Sequence, residues 1–319
     1  MKNELKAMFT EHWKYLAVNA ACELQLFDKI FQGQNTLKQL IQMNNWDMKS
    51  LTNLLEYLCT DGYLEEVENQ TYKVNAKGDL LREANPEGLY YACLNWSGEH
   101  LTAWQNLSYT IETGRSSFES RYGQPYFDFL DKNPLKLEKY HKAMFEYAID
   151  DYKKLPDIID FSIHKSIMDV GGGYGAAISL IREKYPNTNC VLFDLEKVVK
   201  TVINDKIEKI VGNFFDEIPI KSEAIILSRV LHDWKDAKVR AILQNCFIAL
   251  PDNGILYVIE NCTDKIETKL SLLSLNMTLM CQSYERSSSE YIDLCINEGF
   301  EFHTSKQLNQ LQTILIFRK

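Results

Sequence analysis

Ile167-Met168-Asp169-Val170-Gly171-Gly172-Gly173-Tyr174-Gly175-Ala176 is the stretch on which the reading of the fold turns. A short run of strand formers carries one acid and runs into glycines. A helical pattern from Ala176 to Tyr185 follows and stops before Pro186, since the residue preceding a proline leaves the α region. Downstream the same alternation repeats. Short apolar runs at Cys190 to Phe193, Ile207 to Val211, Ala224 to Leu227 and Ile255 to Ile259 predict strands. A helix is expected over Asp236 to Leu250, closed by the turn Pro251-Asp252-Asn253-Gly254. Glu301 to Thr304 and Thr313 to Phe317 read as two last strands. Strand and helix in alternation predict an α/β fold with a parallel, doubly wound, Rossmann-like sheet.

In such sheets ligands sit outside the carboxyl ends of the strands. Those ends carry Asp169 with Gly171, Gly173 and Gly175, then Asp194-Leu195, then Gly212-Asn213-Phe214-Phe215. The next two carry Ser228-Arg229-Val230-Leu231-His232-Asp233-Trp234, then Glu260. Five consecutive strands thus deliver polar or glycine-rich chemistry to one edge. Glycines let a backbone turn tightly and approach a ligand, and Asp194 suits the two hydroxyls of a ribose. Gly171-x-Gly173-x-x-Ala176 with Asp194 also fits a dinucleotide fingerprint, so a nicotinamide-dependent oxidoreductase stays among the readings. Asp169 tips the balance. A carboxylate just before the glycines sits badly beside a pyrophosphate and well beside a cationic amino group, which points to S-adenosylmethionine.

The first half of the chain has a different character. Phe9, Trp13, Leu16, Ala17, Ala20, Leu24 and Phe27 recur at helical spacing, and Leu51, Leu54, Leu55 and Leu58 form a second helical stripe ending near Asp61-Gly62. Tyr63 to Val67 and Thr71 to Val74 read as a hairpin around Glu68-Asn69-Gln70. Helix, helix, hairpin outlines a winged helix. Its would-be recognition segment, Asp47 to Asp61, has Lys49 against Asp47, Glu56 and Asp61, and the hairpin adds Glu65, Glu66 and Glu68. Phosphates would be repelled, so a packing or dimerisation module is expected, with a DNA-binding regulator as the competing reading. Three regions follow: a winged-helix-like dimerisation domain over 1–95, a helical linker contributing to the substrate pocket over 96–155, and the cofactor-binding catalytic domain over 156–319. Within the aromatic-rich linker and the late helix, Trp96, His100, Tyr126, Phe145, Met277 and Met280 are the candidate pocket residues.

The composition agrees with a globular protein of this size. The chain has 319 residues, 45% of them hydrophobic, and a net charge of −9, which argues against nucleic acid as the main partner. Eight cysteines are scattered with no CxxC, which reads as buried free thiols and not a zinc site or a disulfide framework; no metal is expected. Met1-Lys2-Asn3-Glu4-Leu5-Lys6 has no apolar leader, and no apolar run reaches the roughly 18 residues of a membrane span, so a cytoplasmic location is expected.

Taken in order, Asp169-Val170-Gly171-Gly172-Gly173-Tyr174-Gly175, Val191-Leu192-Phe193-Asp194-Leu195, Gly212-Asn213-Phe214-Phe215 and Leu231-His232-Asp233-Trp234 resemble the class I S-adenosylmethionine-dependent O-methyltransferases. The likeness is to the branch holding caffeate-type, hydroxyindole and bacterial antibiotic-tailoring enzymes, and it extends over nearly the whole chain. The resemblance implies a homodimer built through the N-terminal module. It implies cofactor contacts from Gly171, Gly173 and Asp194, with Phe214 near the adenine. It makes His232 the general base, flanked by Glu260 and Glu285, with Asp233 next to it. A phenol has a pKa near 10, so a base with a pKa close to the working pH helps remove its proton, and a carboxylate at the other ring nitrogen fixes the tautomer. Glu260 is expected in that part, with Glu285 helping or binding substrate. Two departures stand out: Asn213 replaces the family's Asp, which predicts weaker cofactor binding, and Gln282-Ser283-Tyr284 replaces the Pro-Gly-Gly of plant members. The acceptor is expected to be a hydroxyl of a small aromatic metabolite, with S-, N- or C-methylation on the same scaffold as alternatives.

Overall fold

The computed structural model describes residues 1–265 and 267–319, which divide into two compact units, Met1–Leu101 and Thr102–Lys319. In the first unit, the helix Met48–Thr60 begins where the Asp47 carboxylate accepts the Ser50 N–H at 2.8 Å, an N-cap of the usual kind. Thr36 and Gln39 form a capping box for the helix Leu37–Asn44. The strands β1 (Leu64–Glu68) and β2 (Thr71–Val74) pair antiparallel. Asn69 and Gln70 between them both have positive φ, 39° and 63°, the pair of left-handed residues that turns a hairpin with the natural strand twist. Leu26, Phe27, Leu40, Leu55, Leu58 and Leu64 are buried together. The N-terminal apolar periodicity falls on two helices, Glu11–Glu23 and Leu26–Phe31, the second entered through Gln25 in the left-handed region, and a short helix, Lys2–Met8, precedes them. Phe9 and Trp13 lie outside this core; each is 64% exposed.

The second unit holds a seven-stranded sheet. Its strands are β3 (Ser166–Val170), β4 (Asn189–Asp194), β5 (Glu208–Val211), β6 (Ala224–Ser228), β7 (Ile255–Asn261), β8 (Glu301–Gln307) and β9 (Gln312–Arg318). They lie in the order β5-β4-β3-β6-β7-β9-β8. The strand order reverses between β3 and its neighbours β4 and β6, and that switch point opens a crevice at the carboxyl edge. The sheet is parallel from β5 to β7, but β9 runs antiparallel to both β7 and β8. This corrects the all-parallel expectation. The short turn Leu308–Leu311 cannot carry a crossover, which takes a dozen residues or more, so the last two strands form a hairpin.

Side-chain alternation sorts the strands onto two apolar faces. Met168, Val170, Val191, Phe193, Ile225, Leu227, Leu256 and Val258 pack with the helices Asp236–Ala249 and Ser288–Asn297. Ile167, Leu192, Ala224, Ile226, Tyr257 and Ile259 pack with Ala176–Lys184 and the long helix Pro134–Tyr152. Both faces are covered, which is why the strands read as near-continuous apolar runs. Among the described residues no helix is long and apolar enough to cross a membrane.

Candidate active site

Where β3 ends, the backbone turns through Gly171, Gly173 and Gly175, all at positive φ, into the helix Ala176–Lys184. Gly173 has φ 58°, and its N–H donates to Asp194 Oδ2 at 2.8 Å. The other Asp194 oxygen accepts the Leu195 N–H at 2.7 Å. The glycine turn and the end of β4 are thereby locked together. Gly172 was not singled out from sequence, yet it tolerates no side chain. A Cβ there would lie 2.5 Å from the Asp169 carboxyl and 2.7 Å from Leu192 Cδ1.

Asp169 is buried, and its Oδ1 has no hydrogen-bond partner. Burial, with the nearby Asp194 charge, pushes its pKa up to about 7. Burial likewise raises Asp194 to about 6, against the pull of its two backbone donors. Phe214 lies against the turn, since a Cβ on Gly171 would meet its ring at 3.2 Å. Asn213 Oδ1 accepts the Phe215 N–H at 3.0 Å. Ser228 and Arg229 stand at the end of β6, half-buried; Arg229 has φ 53° and its guanidinium is 3.4 Å from the Asp151 carboxylate. All ten expected cofactor residues therefore lie on one edge, joined by Asp151 and by His141, whose ring stacks on Tyr174 with centroids 5.3 Å apart. The helix bearing these last two, Pro134–Tyr152, falls in the segment expected as a helical linker contributing to the substrate pocket, in which neither residue stands out by sequence.

His232 sits in the short turn Leu231–Asp233 that follows β6. The expected ranking of its two carboxylates is reversed. Glu285 Oε1 meets His232 Nδ1 at 3.0 Å, and Glu260 Oε2 stands off at 4.0 Å. Glu260 instead uses Oε1 to accept the Val230 and Leu231 N–H groups at 3.0 and 2.8 Å. The reason is local: a carboxylate at the end of β7 faces the backbone that leaves β6, its parallel neighbour. Asn261, the residue after Glu260, donates to the same Glu285 oxygen at 3.0 Å. Asp233 Oδ1 lies 3.8 Å from His232 Nε2. Burial alone would lower the His232 pKa, but Glu285, Glu260 and Asp233 together raise it well above the ordinary imidazole value. Burial also raises Asp233 to about 6 and Glu260 to about 7, whereas the imidazole beside Glu285 outweighs burial and lowers that one. Donor atoms of His232, Glu260 and Glu285 lie within 4.8 Å of one another, close enough to hold a cation, though here the imidazole and Glu285 bond directly.

The pocket candidates fall on several different elements. Tyr126 and Met280 are buried with Phe118, Leu130 and Leu279. Phe145 packs on the sheet core beside Tyr152 and Ile159. Met277 is buried in the helix Thr268–Cys281. Trp96 and His100 belong to the first unit, edge to face at 4.9 Å. A run of rings lies around the edge instead, joining motif residues to the aromatic-rich stretch: Phe214 and Phe215 against Trp234, Trp234 stacked on Phe127 at 5.3 Å, then Tyr140 and His141.

Strand order and the chemistry gathered at one edge define a class I methyltransferase. The comparisons with known proteins agree. Residues 104–301 match the O-methyltransferase domain family. The phenazine O-methyltransferase PhzM of Lysobacter antibioticus is 27% identical over 306 residues, covering 93% of this chain and 90% of that one. The mitomycin biosynthesis 6-O-methyltransferase of Streptomyces lavendulae is 25% identical over 307 residues, covering 92% and 87%. The crystal structure of LaPhzM superposes with a TM-score of 0.94 at 26% identity, covering 99% of this chain and 98% of that one. Human N-acetylserotonin methyltransferase, in complex with S-adenosylmethionine, has the same fold, with a TM-score of 0.90 at 22% identity and coverage of 100% and 97%. The chain belongs to this S-adenosylmethionine-dependent O-methyltransferase family.

Proposed function

We propose that the protein methylates a hydroxyl of a small aromatic metabolite, with His232 as general base, Glu285 as its partner and the Asp169 to Asp194 edge as the cofactor seat. The observation that carries this reading is the 3.0 Å contact of His232 Nδ1 with Glu285, which leaves Nε2 as the ring nitrogen for a substrate. The relatives named for their acceptors take aromatic ones: phenazine, 3-amino-4-hydroxybenzoate and 2,7-dihydroxy-5-methyl-1-naphthoate.

The residues fit the cofactor. Asp169 Oδ1 is a buried acceptor with no donor, which an ammonium group would supply. Asp194 would take the ribose hydroxyls and Phe214 the adenine face. When bound, S-adenosylmethionine supplies a methyl group on a sulfonium, so the protein's share is alignment and proton removal. His232 takes the hydroxyl proton at Nε2. Glu285 orients the ring and stabilises the imidazolium that results. Since the three carboxylates favour the charged ring, the base form is the minor one at neutral pH, and turnover should rise into the alkaline range.

Thermal melting with S-adenosylmethionine, S-adenosylhomocysteine and NADH tests the cofactor seat. A shift of roughly 5 °C with the two adenosyl ligands at 100 times their Kd is expected, and none with NADH. Mass spectrometry of phenolic acceptors should then show the gain of one methyl. A shift with NADH alone would overturn the reading.

The dimer and the winged-helix-like role of the first unit belong to the same proposal. Leu5, Met8, Phe9 and Trp13 are exposed apolar side chains on the first two helices and the turn between them, a surface that a second copy of the chain would bury. Light scattering should give twice the chain mass, and F9S/W13S should give the monomer. A monomeric wild type would sink it.

A further inference from the structure

We propose that Arg286 is a positioning residue for His232; the inference rests on His232 being the general base. Arg286 is a buried guanidinium, with its side chain 1% exposed, in the segment that also carries Glu285. Its Nη1 donates to Leu231 O at 3.3 Å, and its Nη2 donates to Trp234 O at 2.8 Å and to the Asp236 carboxylate at 2.8 Å. The two carbonyls belong to the residues on either side of His232-Asp233. Ser283, three residues earlier, adds a hydroxyl donor to Trp234 O at 3.1 Å.

The His232 turn is thus gripped at three points. Glu260 takes the N–H groups of Val230 and Leu231, where the chain enters the turn. Arg286 takes the carbonyls of Leu231 and Trp234 that flank His232-Asp233, and Ser283 takes the second of them too. Glu285 takes the imidazole itself. The anchors have anchors of their own. Arg286 O accepts the Thr263 N–H at 3.0 Å, next to the strand that carries Glu260, and the Glu285 N–H donates to Ser274 Oγ at 3.3 Å. One backbone segment therefore sets both the carboxylate on the ring and the cation on the turn beneath it. A planar fork of donors suits two carbonyls three residues apart in sequence, which a single ammonium cannot span. A catalytic group displaced by about 1 Å can lose on the order of 10² in rate, so this grip bears on turnover and not on binding.

The test is steady-state kinetics against pH for wild type, R286M, R286K, S283A and H232A, with active sites counted by S-adenosylhomocysteine binding. R286M should lower kcat per active site about tenfold to a hundredfold, with cofactor Kd and acceptor KM within about threefold of wild type. Its acid limb of kcat should move to lower pH, because a loosened His232 loses the Glu285 contact that raises its pKa. R286K and S283A should lie between R286M and wild type, and they carry the test if R286M does not fold. Loss of binding sites with unaltered kcat per site and an unmoved limb, beside an inactive H232A, would reduce Arg286 to a structural residue and overturn the proposal alone. An H232A enzyme with normal turnover would overturn this proposal and the general-base reading together.

Discussion

The two ends of the catalytic edge are built in opposite ways. The glycine turn and Asp194 are backbone work: neighbouring strands β3 and β4 end side by side, and N–H groups of Gly173 and Leu195 hold the carboxylate. The His232 end is side-chain work. Its imidazole, Glu260 and Glu285 come from three separate segments, and charge faces charge in a buried site. A backbone cradle stays in place as the charge of one residue changes. A charge cluster does not, since each member sets the protonation of the others. Loss of function should therefore differ at the two ends, as rate at one and as binding at the other.

H232A is the largest break to make. It should lower kcat by roughly 10²–10⁴ while the S-adenosylmethionine Kd stays near wild type, as isothermal titration would show. D194N is the counterpart. It removes the charge that two backbone N–H groups and a ribose would share, and charge-assisted bonds are worth about 1.5–3 kcal/mol. Cofactor affinity should fall roughly tenfold to a hundredfold with kcat at saturation little altered. If both variants lost binding and rate alike, the division between the two ends would be gone.

E285Q sharpens the contrast. The Glu285 carboxylate raises the His232 pKa, so its removal lets that pKa fall. A base must be unprotonated to act, so the acid limb of kcat should shift to lower pH, while the plateau drops about tenfold as the ring loses its orienting partner. E260Q should move the limb less, since Glu260 stands 4.0 Å from the ring and is spent on two backbone N–H groups. An equal shift in both would return Glu260 to the part first expected of it.

The contrast also explains what could be read from residues alone. Asp169 to Gly175, Asp194 and Asn213 to Phe214 were legible because each is a short local pattern at a strand end, and strand ends in an alternating fold share an edge. His232 was legible for the same reason. The ranking of Glu260 and Glu285 was not, because it depends on which oxygen the backbone of Val230 and Leu231 claims, and no spacing records that. Arg286 and Asn261 lay one residue beyond the expected acids, but their targets are carbonyl and carboxylate oxygens 24 to 55 residues away in sequence. Tyr126, Phe145 and Met280 show the same limit from the other side. Helical and aromatic spacing marks a buried face without saying whether core or ligand fills it.

The smallest effect lies at Asn213, and it separates two ways of reading that side chain. Its Oδ1 already accepts the Phe215 N–H at 3.0 Å, holding the turn that presents Phe214. The amide nitrogen, a donor, then stands where an aspartate would offer a second acceptor oxygen, and the Oδ1 has one lone pair left. If adenine is bound through its amino group, N213D supplies the missing acceptor. Affinity for S-adenosylmethionine should then rise by about threefold to tenfold, within the range of one hydrogen bond to a charged group. If adenine is bound through a ring nitrogen, the amide is the better partner and N213D should weaken binding by a similar factor. Replacing the amino group on the ligand decides between them: S-inosylhomocysteine carries a carbonyl acceptor at that position and an N–H on the neighbouring ring nitrogen, so it should bind wild type better than N213D if Asn213 faces the carbonyl position, and N213D better if Asn213 faces that ring nitrogen. It should approach S-adenosylhomocysteine in affinity for wild type only if the Asn213 amide donates to that position. The glycine turn and Asp194 would be untouched by any of these changes, so the effect should appear in Kd alone, leaving kcat and its pH limb where they were.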